Sequence, residues 1–220
     1  MAFDAYLKID GIDGESTAQG MEKQIEISSF IWGAMNAATI GSHSGGISGG
    51  KANLAALTVL KSLDVASPKL MLAACDGSHL KTAILTIRKA TGTPGQKPFQ
   101  IIKLTDCMIS AYRLLHGRVN EPFFTPRTPA RGSPSKGPFN GNDAPRHASP
   151  LGESEPFHKM PFAKIPFAKI PIPPAGNELP VEVISFDFAK IEMEYYLQKV
   201  DGSMQKAGNT GWNRVMNAKA

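Results

Sequence analysis

The chain has 220 residues, 24 Lys and Arg against 19 Asp and Glu, a formal net charge of +5 and 42% apolar residues. That balance suits a globular protein, and no block of like charge marks a nucleic-acid surface. No apolar run reaches the roughly 18 residues of a membrane-spanning helix, and Met1-Ala2-Phe3-Asp4-Ala5 lacks the basic flank and apolar stretch of a secretory signal, so the expectation is a protein that starts in the cytoplasm, does not insert in membranes, and is exported only by a non-classical route.

Phe3, Ala5, Leu7 and Ile9 alternate with Asp4, Tyr6, Lys8 and Asp10, the period of a half-buried strand. Asp10-Gly11-Ile12-Asp13-Gly14 then supplies turn residues. A second strand is expected over 23–33, where the inward set changes parity between Ile25/Ile27 and Phe30/Trp32, as a bulge or bend requires. The run Gly41-Ser42-His43-Ser44-Gly45-Gly46-Ile47-Ser48-Gly49-Gly50-Lys51 has no Gly-Lys-Ser/Thr ending and no helix after it, so a hairpin extension is read there rather than a phosphate cradle. Further strands are expected at 54–63, 80–89 and 99–115. Between the first two of these, Ser67 is expected as an N-cap, Pro68 at the first helical position and Gly77 as the terminator of one short helix. The last long strand, 181–197, changes inward parity from Ile184, Phe186 and Phe188 to Ile191, Met193 and Tyr195, which predicts a bulge near Ala189-Lys190. A short strand around 210–215 carries Trp212. Many strands and one helix imply a mainly β fold, an antiparallel two-sheet β-barrel or sandwich with the helix over one opening or edge.

Proline divides the chain. Fourteen of 17 prolines fall in 117–180, and because proline donates no backbone hydrogen bond and fixes its φ, that segment forms neither a central strand nor a long helix. It is read as a Pro-rich extended insertion, 117–180, in a discontinuous β-domain made of 1–116 and 181–220. The insertion also holds six of 11 phenylalanines, Phe123, Phe124, Phe139, Phe157, Phe162 and Phe167, and the tandem repeat Pro161-Phe162-Ala163-Lys164-Ile165, Pro166-Phe167-Ala168-Lys169-Ile170. Disordered segments are poor in aromatics. Each buried Phe contributes roughly 1.5–3 kcal/mol, whereas ordering each residue costs about 1–2 kcal/mol. Six anchors do not order 64 residues unaided, so the expectation is a strap whose phenylalanines anchor on a neighbouring subunit or ring, with a free, PPII-like linker as the alternative.

Chemistry is sparse. Cys75 and Cys107 make neither a disulfide framework nor a metal cage and are expected as buried free thiols, with a single bridge between them as the alternative. His43, His79, His116, His147 and His158 show no zinc-ligand spacing, and no Gly-x-Ser-x-Gly elbow is present. Glu192 and Glu194 share a strand face with Lys190 and Tyr196, which reads as a solvated or lumen-facing surface rather than a glycosidase pair. No catalytic residue, metal ligand or cofactor is therefore assigned.

Asp4-Ala5-Tyr6-Leu7-Lys8-Ile9-Asp10-Gly11-Ile12-Asp13-Gly14-Glu15-Ser16 resembles the N-terminal strand and turn of the hemolysin-coregulated proteins (Hcp), tube subunits of type VI secretion systems. Asp64-Val65-Ala66-Ser67-Pro68-Lys69-Leu70 resembles their strand-to-helix junction, and Leu80–Lys89 the strand after it. Glu182-Val183-Ile184-Ser185-Phe186-Asp187-Phe188-Ala189-Lys190-Ile191-Glu192 and Thr210-Gly211-Trp212-Asn213 resemble the C-terminal strand and closing motif. The resemblance covers nearly all of 1–116 and 177–217; 117–180 departs from it. It implies hexameric rings stacked into a hollow tube, with sheath, spike and effector proteins as partners and Gly41–Lys51 helping one ring contact the next. A phage-like or extracellular contractile device shares that task. A ligand-binding β-sandwich module is the alternative of a different class.

Overall fold

The computed structural model describes residues 3–36, 51–89, 96–116 and 180–220, and the backbone alone at 39–40, 47–48 and 90. The described elements belong to one unit, Met1–Arg118 with Pro174–Ala220. The reading of 117–180 as a strap, with Phe123, Phe124, Phe139, Phe157, Phe162 and Phe167, lies outside the described residues apart from Pro180.

In chain order, the strands are β1 (Phe3–Ile9), β2 (Ile25–Ile27), β3 (Ser29–Ile31), β4 (Ala34–Asn36), β5 (Thr39–Ile40), β6 (Ile47–Ser48), β7 (Ala52–Leu54) and β8 (Leu57–Ser62). Helix α1 (Ser67–Asp76) follows, then β9 (Leu80–Ala90), β10 (Gln96–Leu115), β11 (Val181–Gln198), β12 (Met204–Asn213) and β13 (Ala218–Lys219). All pairings are antiparallel. The main sheet runs β13-β12-β11-β10-β9-β1-β2, and β8 pairs both β11 and β3.

The expected second strand is two strands. Ile25 and Ile27 bury beside β1, the chain bends at Ser28, and β3 pairs β8 instead. The Ser28 N–H donates to Leu60 O at 2.8 Å, so the bend leaves no donor idle. This corner closes the barrel, because the circuit β1-β2, β3-β8-β11-β10-β9 returns to β1. The expected strand over 54–63 is likewise divided between β7 and β8. There β4 and β7, then β5 and β6, extend as two-stranded pieces.

The parity change in β11 has its partner in β10. Inward residues on β10 pass from Ile102 and Leu104 to Cys107 and Ile109, and on β11 from Ile191 to Phe188, Phe186 and Ile184. Asp106 (φ 51) stands between them opposite Ala189, with no pairing there, while Thr105↔Lys190 and Cys107↔Phe188 keep one register. Both strands flip together, so no register slip occurs at Ala189-Lys190; slips occur at Ile109/Ala111, Pro98/Gln100 and Tyr195/Tyr196. The expected short closing strand is the end of the longer β12.

Helix α1 presents Ala66, Leu70 and Ala73 to the core, one helical face. Gly77 ends it at φ 67, its N–H donating to Ala73 O. The N-cap is Ala66, without a side-chain cap bond, so Ser67 does not have the expected role. Its hydroxyl is drawn inward by a buried ion pair. Phe3 also departs from its alternation: it is 51% exposed, because β1 extends past the closed part of the barrel.

Candidate functional site

Among the described residues no group of three or more His, Cys, Asp and Glu is placed to hold a metal ion. Cys107 is buried and its Sγ–H donates to Leu80 O at 3.4 Å; Cys75 is exposed, a correction to its expected burial, because position 75 faces away from the Ala66/Leu70/Ala73 stripe. His79 lies 3.5 Å from Asp106, both exposed. A groove of ≈ 210 Å³ opens over β10–β12, lined in part by Lys103, Glu192, Glu194 and Thr210. Its acids are laced to cations: Glu192 to Lys190 at 3.0 Å, and Glu194 to Lys206 at 2.7 Å. The Tyr196 hydroxyl also donates to Glu194 at 2.7 Å, and the two bonds hold that carboxyl below the usual range, Lys206 contributing first. This matches a solvated face.

The most concentrated polar cluster is internal. Lys61 continues the inward row Leu57-Val59, and Glu182 begins the inward row Ile184-Phe186, so pairing β8 with β11 puts them directly opposite. Both are wholly buried, with Lys61 Nζ 2.7 Å from Glu182 Oε2. Lys61 also reaches Asp64 at 2.8 Å and donates to Ser67 Oγ at 3.1 Å. Ser67 Oγ in turn donates to Glu182 Oε2 at 2.9 Å, and the Tyr112 hydroxyl donates to Glu182 Oε1. Burial, then the bond to Glu182, raises the Tyr112 pKa. Every polar terminus has a partner, the condition under which a buried pair is tolerated. The cluster ties β8, α1, β10 and β11 together; with Lys61 and Glu182 wholly buried, it holds the fold rather than meeting a ligand. Sequence reading passed over it, although a Lys and a Glu at inward positions of two apolar rows were its signal.

What the molecule does expose is strand edge and apolar surface. Among the described residues, β13 and the Ala220 N–H cover β12 at Gly211, Trp212 and Asn213, so 205–210 form an exposed outer edge. Past the barrel, the β11–β12 hairpin displays Tyr195, Leu197 and Val200, and α1 displays Met71 and Leu72. Unpaired edges and grouped exposed apolar side chains are where chains join other chains. Of the sequence-predicted contact loop, Ile47-Ser48 pairs with Thr39-Ile40 and Lys51 is exposed just before β7; Gly41–Gly46 and Gly49-Gly50 lie outside the described residues.

A family model described as "Type VI secretion system effector, Hcp" matches residues 6–195. "Protein hcp1" of Pseudomonas aeruginosa is 36% identical over 112 residues, which span 50% of this chain and 67% of that protein. A solved structure described as a type six secretion system protein superposes with TM-score 0.68 at 28% identity over 100% of both chains. Hcp1 from Salmonella typhimurium shares the fold at TM-score 0.59 and 21% identity, again over 100% of both.

Proposed function

Because the chain belongs to the Hcp family of type VI secretion system proteins, we propose that it is a tube subunit that closes into hexameric rings, and that the rings stack into a hollow conduit. The family is one of structural, secreted tube proteins rather than enzymes. The observation that carries the finer reading is the open outer edge of β12 beside the exposed hairpin face, in a barrel whose strongest polar cluster is sealed inside. A chain built this way works by contact. Heterologous edges close into a ring when the rotation permits, and repeated end contacts continue as a filament.

On this reading the arm around Gly41, Ser42, His43, Ser44, Gly45, Gly46, Ile47, Ser48, Gly49, Gly50 and Lys51 contributes to ring-to-ring contact, glycines letting backbones approach closely. Residues 117–180 strap onto a neighbouring subunit through their phenylalanines. Sheath, spike and effector proteins are the partners, and secretion follows assembly. Negative-stain microscopy with sedimentation velocity on the purified full chain tests the core claim. Annular particles of six-subunit mass are expected; monodisperse monomers at every concentration refute it.

A further inference from the structure

Strand β8 is short, yet both of its faces are covered. Leu57, Val59 and Lys61 point to the core, Thr58 and Leu60 to the other side, and all five are buried. Opposite them on β11 lie Phe186, Ile184 and Glu182 in the inward row, and Ser185 and Val183 in the outward one. An apolar row does not choose its own register. Slipping a strand by one residue turns its buried side chains to the wrong face, but slipping it by two returns each to its own.

Moved two residues along β11, β8 would set Leu57 against Phe188 and Val59 against Phe186, apolar on apolar, with Lys61 against Ile184. What separates that alignment from the observed one is polar. The slip carries Lys61 roughly 7 Å along the strand from Glu182. Asp64 travels with Lys61, but Glu182 stays with β10 through Tyr112 and is left buried without its cation. The buried Thr58–Ser185 hydroxyl bond, 2.9 Å long on the outward face, breaks at the same time. A slip the other way sets Val59 against Glu182 and Lys61 against Pro180, which has no N–H to pair.

We infer that the Lys61–Glu182 pair is a register key: it selects one alignment of β8 on β11 from alignments that the apolar residues alone leave nearly equal. Fixing alignment is the best-attested use of a buried polar pair. Lys61 also donates to Ser67 Oγ at 3.1 Å, and Ser67 opens α1, so the same key fixes the height at which the helix starts. Nothing in this depends on whether copies of the chain form rings.

Disulfide trapping in the full chain, mapped by peptide mass spectrometry, reads the register directly. In the observed alignment a Thr58→Cys/Ser185→Cys pair is directly opposite and cross-links. A Thr58→Cys/Asp187→Cys pair is diagonal at roughly 7 Å, too far for the about 4 Å between Cβ atoms of a disulfide. With Lys61 and Glu182 in place, the 58–187 bond stays at background. In a Lys61→Met/Glu182→Leu chain it rises at least about tenfold, since no stranded charge then opposes the slip. That chain also shows two NMR signals for the Trp32 indole, just beyond β3 on β8, where the wild type shows one. A Lys61→Leu/Glu182→Met chain carries the same reading if the first variant does not fold. A pair that merely adds stability would shift the melting temperature and leave one register. A Met/Leu chain that folds with a single Trp32 signal and no rise in the 58–187 bond therefore overturns the inference. So does a 58–187 bond already abundant beside the intact pair.

Discussion

The two halves of β11 share an alternating pattern and meet opposite fates. From Val181 to Phe186 the strand lies between β8 and β10, and Glu182, Val183, Ile184, Ser185 and Phe186 are all buried. From Met193 to Gln198 it has β12 on one side, β10 ends its pairing at Tyr195, and Tyr195 and Leu197 are exposed. Propensity does not separate the halves; their neighbours do. One half holds the barrel shut, and the other leaves the same kind of surface available for contact.

Breaking the closed half has the largest expected effect. Lys61→Ala leaves Glu182 charged and enclosed, a loss of about 3–5 kcal/mol in denaturant unfolding. A Lys61→Met/Glu182→Leu chain loses much less, because neither charge is then stranded. A Lys61→Ala loss below about 1 kcal/mol removes the ion pair from any role in closing the barrel. Phe186→Ala also costs about 3–5 kcal/mol by opening a core cavity, whereas Tyr195→Ala, on the open half, stays within about 1 kcal/mol; equal values erase the contrast. Gly77→Ala, at φ 67 where α1 ends over the closed region, costs about 1 kcal/mol in the same assay.

The smallest effect is chemical and sharpens the contrast without altering stability. Cys107 pairs with Phe188 in the closed region, and burial raises its thiol pKa to about 11. Because the thiolate is the nucleophile, Cys107 stays protonated and silent at pH 8 and gains reactivity only as pH rises toward 11. Exposed Cys75 labels at once. Mass spectrometry after alkylation shows one adduct in the native protein and two in denaturant.

Much of the barrel was legible because period-2 rows are strong signals: β1, β9, β10 and β11 fall close to where alternation puts them, and Pro68 and Gly77 bracket α1. Parity breaks were legible as breaks, but not as what they are. At Ser28 the chain changes pairing partner, and at Ala189 two strands turn over together; both depend on a neighbour remote in sequence. Ser67 was misread for the same reason. Locally it has an N-cap's identity and position, yet Lys61 and Glu182 offer its hydroxyl stronger charged partners. Contact surfaces were least legible, since exposure of Leu197 or Leu72 follows from where strands stop pairing and not from residue type.

Leu115 and Val181 are directly paired, the last rungs of β10 against the first of β11. Two strands side by side put their Cα atoms roughly 5 Å apart, so whatever joins them has its entry and exit fixed at a doorway one rung wide. Lengthening a joining loop twofold costs only about 0.6 kcal/mol, so the length of what joins them weighs little on whether this rung forms. That rung is therefore a fixed gate: a joining segment of any length meets the barrel with its two ends side by side.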